Sequence, residues 1–241
     1  MAAPTPVRAH PAAELPPSEL ARYIQHMLVG QAITESVVRR HVDDAVRLGF
    51  NAIVVPGVWA PLARHLLRGS TVRLGGTIDF PYGSSTTAAR VAEAGALVDA
   101  GIDEIDSTVT VGLLLSGRAP EFIADLKAVV AAAAPVGVKF MLELPLLDRR
   151  QREIAVTAAV EAGAAYVKNA SRGAVGIADP STIAYLRQMV PASVGVKASG
   201  GIKTVGQVRE LLAAGADLVG TSAGVAIVTG KGSPSGSLYS Y

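Results

Sequence analysis

Two lysines carry the chemistry this sequence offers most plainly. Lys197 lies in Gly195-Val196-Lys197-Ala198-Ser199-Gly200-Gly201-Ile202-Lys203-Thr204, an apolar run ending in lysine, then a Gly-Gly turn, then a helix start at Thr204 with Gln207 three residues on. Lys168 closes a second such run, Ala165-Tyr166-Val167-Lys168-Asn169, after a helical pattern and the stop signal Gly163. A lysine at the end of a buried strand faces a cleft, where desolvation disfavours the ammonium form and frees a nucleophilic amine. If adjacent parallel strands carry the pair, two ammonium groups at ~4 Å and an effective dielectric of ~20 repel by about 4 kcal/mol, roughly three pKa units. That brings one amine from ~10.4 toward neutrality, as a Schiff-base nucleophile requires. Gly200-Gly201 can bring backbone N–H groups close to an anion, with the positive end of the Thr204 helix behind them.

Such side chains need elements to hold them, and the chain alternates short apolar runs with amphipathic ones. Strands are expected at 23–28, 52–55, 72–78, 104–108, 138–144, 165–168, 194–197 and 218–220. Helices are expected at 35–48, 59–67, 86–100, 120–134, 148–162, 179–189 and 205–214, with a short one after Ser222. Gly49, Gly101, Gly163 and Gly215 each stand where a left-handed C-cap precedes the next strand. Eight strand-helix units favour an α/β fold, a single (β/α)8 TIM barrel over 19–230, flanked by a flexible arm at 1–18 and a flexible tail at 231–241.

In that fold active residues gather at the C-terminal ends of strands. Asp106 ends the fourth strand, two strands round from Lys168, and can reach the centre of the mouth. Lys139 and Glu143 share one face of the fifth strand and are expected to form a structural ion pair inside the barrel. Gly220, Thr221 and Ser222, after the eighth strand, are expected to complete an anion site with Gly200 and Gly201. His26 reads as a core or loop histidine.

Composition narrows the function classes. The chain has 241 residues, half of them apolar, enough for one sizeable core. With 22 basic against 20 acidic residues there is no basic stripe, so nucleic acid is not an expected partner. Cysteine is absent and the four histidines show no ligand spacing, so neither a thiolate site nor any other metal site is expected. The Ala/Pro-rich start lacks a signal-peptide pattern, and Gly, Pro or charge breaks every long apolar run. A cytoplasmic protein with no membrane contact is expected.

Beyond these features, Phe80-Pro81-Tyr82-Gly83 with Thr86-Thr87, Glu104-Ile105-Asp106, Val167-Lys168, the 196–204 block and Ser222-Ala223-Gly224-Val225-Ala226-Ile227 resemble the deoxyribose-phosphate aldolase family, in order from about residue 20 to 230. The resemblance implies a class I aldolase that works through a covalent lysine imine, without cofactor or metal. Lys168 would be the Schiff-base lysine that captures an acetaldehyde-like donor, Lys197 the neighbour that depresses its pKa, and Asp106 the carboxylate that moves protons through water. The acceptor would be an aldehyde such as glyceraldehyde 3-phosphate. It also implies that the terminal Tyr241 assists proton transfer, that Ser171 and Arg172 help hold substrate, and that the chain pairs as a homodimer.

Two departures stand out. The family usually reads Ile-Asp-His-Thr-Leu near the first strand, where this chain has Ile24-Gln25-His26-Met27-Leu28. After the lysine it commonly reads Thr-Ser-Thr-Gly, where this chain has Asn169-Ala170-Ser171-Arg172-Gly173. These changes point to a divergent member with an altered substrate. They also leave two other readings open: a catalytically silent barrel that binds a sugar phosphate or a protein, and a Schiff-base lyase using another donor.

Overall fold

The structure, a computed structural model, describes residues 11–230. Eight parallel strands close into a barrel in chain order: β1 (Ile24–Met27), β2 (Ala52–Val54), β3 (Arg73–Ile78), β4 (Glu104–Thr108), β5 (Gly137–Met141), β6 (Tyr166–Lys168), β7 (Gly195–Ser199) and β8 (Leu218–Thr221), with β8 pairing to β1. Around them run α1 (Glu35–Leu48), α2 (Ala60–Leu66), α3 (Thr87–Asp99), α4 (Val111–Leu115), α5 (Ala119–Ala133), α6 (Arg149–Glu161), α7 (Pro180–Met189), α8 (Val205–Ala213) and α9 (Gly224–Thr229). The expected barrel is therefore present.

Alternation along the strands decides which chemistry goes where. Ile53, Leu74, Ile105, Val138, Phe140, Val167, Val196 and Val219 are buried in the hydrophobic layer between strands and helices. Their neighbours one residue away point to the barrel axis. The axis is usually filled by branched aliphatic side chains; here Gln25, Glu104, Asp106, Lys139, Lys168 and Lys197 are all buried in it. Helices present the complementary face: α1 buries Val38, Val42 and Ala45, at helical spacing, and leaves Glu35 and Arg39 paired in solvent. Each such valine is worth about 1.5–3 kcal/mol of burial.

The turns follow their local signals. Gly101, Gly163 and Gly215 each donate to the carbonyl three residues back, and the next residue donates to the one five back, which closes α3, α6 and α8 alike. Reciprocal side-chain and backbone bonds start α6 at Asp148 with Gln151 and α8 at Thr204 with Gln207. Arg90 of α3, wholly buried, pairs with Asp125 of α5 and donates to Ser107 Oγ at 2.9 Å and the Thr108 carbonyl at 2.6 Å. It pins the end of β4, the strand that carries Asp106.

Three expectations shift. β5 stops at Met141 instead of 144, because Glu143 takes a left-handed conformation (φ 50°) into a 3-10 turn, Leu144–Leu146. β7 continues past Lys197 to Ser199, whose N–H donates to Asn169 Oδ1 at 2.8 Å and so extends the pairing of the strand ends. The five-residue α4 was not expected, being too short to show a helical period. Of the expected arm, residues 11–18 contribute 3-10 turns Pro11–Glu14 and part of Pro17–Tyr23; Ala12 is buried, and Arg209 Nη2 of α8 donates to the Leu15 carbonyl at 3.1 Å. The expected tail at 231–241, Tyr241 included, lies outside the described residues.

Candidate active site

Register puts the two lysines side by side. Lys168 closes β6 and pairs in register with Lys197 of β7, so their side chains project together into the barrel. Asp106 reaches them from β4: Lys197 Nζ lies 2.6 Å and Lys168 Nζ 3.2 Å from the same oxygen, Oδ2. The two ammonium groups thus flank a single carboxylate atom. All three residues are at most 1 % exposed.

A third lysine joins them. Lys139, directly across from Asp106 in the β4–β5 register, lies 3.5 Å from Asp106 Oδ1 and 3.0 Å from Glu104 Oε2. Glu104 also pairs with Arg73 at 3.0 Å and accepts from Gln25 Nε2 at 2.5 Å. The expected pairing of Lys139 with Glu143 is not what forms. The turn after Met141 carries Glu143 off the strand, where its Oε1 accepts the Ser171 N–H at 2.7 Å, while Lys139 stays one layer lower with the acids of β4. The Gln25 departure is legible here as well: a carboxylate at that position would face Glu104 at contact distance, whereas the neutral amide donates to it.

The electrostatics follow from burial and crowding. Burial works to raise the Asp106 carboxyl, but Lys197, Lys168 and Lys139 together outweigh it and hold it well below the ordinary carboxylate range. Lys197 is lowered to about 7, first by burial, with Asp106 opposing and the Lys168 and Lys139 charges adding to the fall. Desolvation and repulsion between the lysines were both expected from sequence; desolvation is the larger one. Groups this close exchange protons as a unit, so the cluster as a whole supplies a neutral amine near pH 7.

Small residues make room for this arrangement. A Cβ on Gly220, which pairs in register with Ser199, would sit 3.0 Å from Lys197 Cε, so its bare backbone leaves the lysine stem its path. Thr221 donates its hydroxyl to the Ile202 carbonyl at 2.6 Å and accepts the Ala223 N–H at 2.9 Å, tying the end of β8 to the turn after β7. Gly200 and Gly201 have φ of 105° and 68°, and a Cβ on Gly200 would lie 2.4 Å from the Gly176 carbonyl. The turn is therefore held against the loop that follows β6. In that loop Asn169 spans to β7, giving and receiving bonds with the Ser199 backbone, and Ser171 is fully buried. Arg172 lies 5.2 Å over the ring of Tyr82, so the loops after β3 and β6 meet across the mouth. His26 is on the outer side of β1, stacked on His41 at 4.1 Å in the core layer, away from the lysines.

Sequence reasoning brought Lys168, Lys197 and Asp106 together and missed Lys139, Glu104 and Asn169 as their companions. The signal for Lys139 was available in the shared parity of Glu104, Asp106 and Lys139 on neighbouring strands. A groove of about 630 Å³ between α6 and α7, lined by Arg149, Arg152, Glu153 and Tyr185 among others, shares no residue with this cluster. Among the described residues no group of three or more acidic or histidine side chains is placed to hold a metal ion, and no helix is long and apolar enough to cross a membrane.

No family model matches the chain. Individual proteins do. A deoxyribose-phosphate aldolase of Rhodospirillum rubrum is 38 % identical over 211 residues, covering 88 % of this chain and 89 % of that protein. The chain belongs to the deoxyribose-phosphate aldolase family. A deoxyribose-phosphate aldolase of a Geobacillus species is 34 % identical over 215 residues, 89 % of this chain and 96 % of its own length. The solved deoxyribose phosphate aldolase of Aeropyrum pernix superposes with a TM-score of 0.81 at 31 % identity, over 88 % of this chain and 91 % of that one. The similarity thus covers nearly nine-tenths of the chain.

Proposed function

We propose that this chain catalyses the reversible aldol reaction for which its relatives are named, joining an acetaldehyde-like donor to an aldehyde acceptor such as glyceraldehyde 3-phosphate. The observation that carries this reading is the contact of Lys168 and Lys197 with one oxygen of Asp106 at the axis of the barrel. In its neutral form Lys168 attacks the donor carbonyl, and loss of water from the carbinolamine gives an iminium. Asp106, held as an anion, and Lys197 pass the α-proton through a water molecule, leaving an enamine. The enamine carbon attacks the acceptor carbonyl, the new alkoxide takes a proton from the same cluster, and water releases the product and restores the amine. At the far end of the substrate a phosphate would meet the backbone at Gly200, Gly201 and Ser222 and the guanidinium of Arg172, with Ser171 nearer the lysine. Gly220 and Thr221 serve by shaping the wall behind Lys197. Tyr241 belongs to the same reading as an aid to proton transfer, and a homodimer in the cytoplasm as its setting.

Borohydride reduction in the presence of acetaldehyde tests the core of it. The expected result is a stable adduct 28 mass units above the free chain, mapped by peptide analysis to Lys168 and absent in Lys168→Met. An adduct on Lys197 alone would reverse the two roles, and no adduct at all would leave a binding protein.

A further inference from the structure

The groove between α6 and α7, about 630 Å³, stands apart from the lysine cluster and has the size of a small-molecule site, for which roughly 300–1,000 Å³ is usual. Leu147, Met189 and the Tyr185 ring give it apolar surface, and Asp148, Arg149, Arg152 and Glu153 give it charge. Both acids are already engaged. Asp148 Oδ1 accepts the Gln151 N–H at 2.8 Å as the cap of α6, and Glu153 Oε1 accepts from Arg149 Nε at 3.2 Å.

Two donors remain. The Tyr185 hydroxyl is buried and has no hydrogen-bond partner among the described residues, although Glu153, Arg152 and Arg149 all stand close enough for their charges to act on it. Arg152 uses only its Nε, at 2.9 Å from the Leu144 carbonyl and 3.0 Å from that of Leu147; its two terminal nitrogens bond to no described residue. Native interiors pair nearly all buried hydroxyls, and here a cavity borders the one that is unpaired.

The chemistry of these two groups selects the ligand. Both donate, so the ligand must accept. A carboxylate matches the paired N–H bonds of a guanidinium and keeps a lone pair for the phenol. A phosphate monoester would bring about −1.5 to −2 charge at pH 7 toward Asp148 and Glu153. A carboxylate brings a single charge, which suits a groove where the two arginines only balance the two acids.

We propose that this groove binds an organic monocarboxylate with an apolar body, its carboxylate held by Arg152 and the Tyr185 hydroxyl and its body laid on Leu147 and Met189. The site goes beyond the aldolase reading and does not depend on it. It also reaches toward the reacting lysine. The carbonyls that Arg152 holds bracket the turn after β5, and the Leu144 N–H donates at 3.0 Å to the carbonyl of Asn169, the neighbour of Lys168. A ligand that fixes the guanidinium steadies that turn.

The probe is phenylacetate, titrated calorimetrically into the full chain beside its neutral isostere phenylacetamide, acetate and phenyl phosphate. Saturable binding of phenylacetate is expected, with each of the other three weaker by roughly tenfold or more. Tyr185→Phe deletes only the unpartnered oxygen, so it should weaken binding by roughly fivefold or more and leave the urea midpoint unchanged or raised. A lowered midpoint would give the hydroxyl a structural partner and overturn its part in the site. In Arg152→Gln phenylacetate should bind no better than phenylacetamide, whereas Lys168→Met should bind it as the wild type does. Amide hydrogen exchange at 144–147 should slow when the probe is bound. Absence of saturable binding, binding untouched by both groove variants, binding lost in Lys168→Met, or unchanged exchange at 144–147 overturns the site, whatever borohydride trapping shows for the aldolase reading. Phenyl phosphate binding as tightly as phenylacetate overturns the choice of a carboxylate.

Discussion

Replacing Lys139 by methionine should raise the pH at which the site becomes reactive, although Lys139 forms no imine in the proposed reaction. Its ammonium lies 3.5 Å from Asp106 Oδ1, while Lys197 holds Oδ2 at 2.6 Å. At a separation of about 6 Å and an effective dielectric of ~20, one unit charge shifts the other by about 3 kcal/mol, roughly two pKa units. Glu104 raises Lys197 both before and after the substitution, and its contact with Lys139 screens part of that lysine's effect, which leaves about one to two units. The lost charge had lowered the amine, so the Lys197 value of about 7 moves upward. With a shift of about one unit, the neutral fraction at pH 7 falls from about a half to about a tenth. The assay is the pH dependence of imine formation, followed as the initial rate of borohydride-trapped acetaldehyde adduct from pH 5 to 10. The midpoint should rise by one to two units in Lys139→Met and return close to wild type in Lys139→Arg. Methionine keeps the volume, and Glu104 keeps Arg73 and Gln25 as partners, so the barrel should remain folded. A midpoint that stays put or moves down would refute the account of a proton balance set by three lysines around one acid.

Three further outcomes follow from particular contacts. Gly220→Ala places a methyl 3.0 Å from Lys197 Cε; the flexible stem gives way at a cost of about 1 kcal/mol in stability, but kcat should drop roughly tenfold or more, and near-normal kcat with a lowered urea midpoint would show that the stem's path is unimportant. Thr204→Ala removes the acceptor of the Gln207 N–H at 3.2 Å and should cost about 1 kcal/mol by urea denaturation, while Thr204→Asp should restore it. Burial lowers His26 to about 4 and His41 well below its ordinary value, so both are neutral when folded. Their unfolded forms take up protons from about pH 6.5 downward. Nothing is lost above that pH, and stability falls between about 6.5 and 4, by up to about 3 kcal/mol for His26. Urea midpoints should decline over that window, and less steeply in His26→Phe; equal slopes would show that the stacked pair carries no proton linkage.

The sequence by itself determined the barrel, because its eight strands and most of its helices, the short α4 excepted, are specified within a few residues by apolar period, and several helices also by a polar cap before them or a glycine after them. Gly101, Gly163 and Gly215 close their helices in the same way without reference to anything distant. It also singled out Lys168, Lys197 and Asp106, since an ionisable residue in an apolar strand is conspicuous in one dimension. What only the tertiary structure decided is which charges share an oxygen. Lys139 went to Glu104 and Asp106 instead of Glu143 because a left-handed residue ended β5 early, and no periodicity announces such a turn. Gly220, expected in an anion loop, also gives clearance to the Lys197 stem, a contact visible only when β7 and β8 lie side by side. Strand parity says which way a side chain points, but Coulomb energy depends on distances across the axis, and those exist only after the sheet has closed.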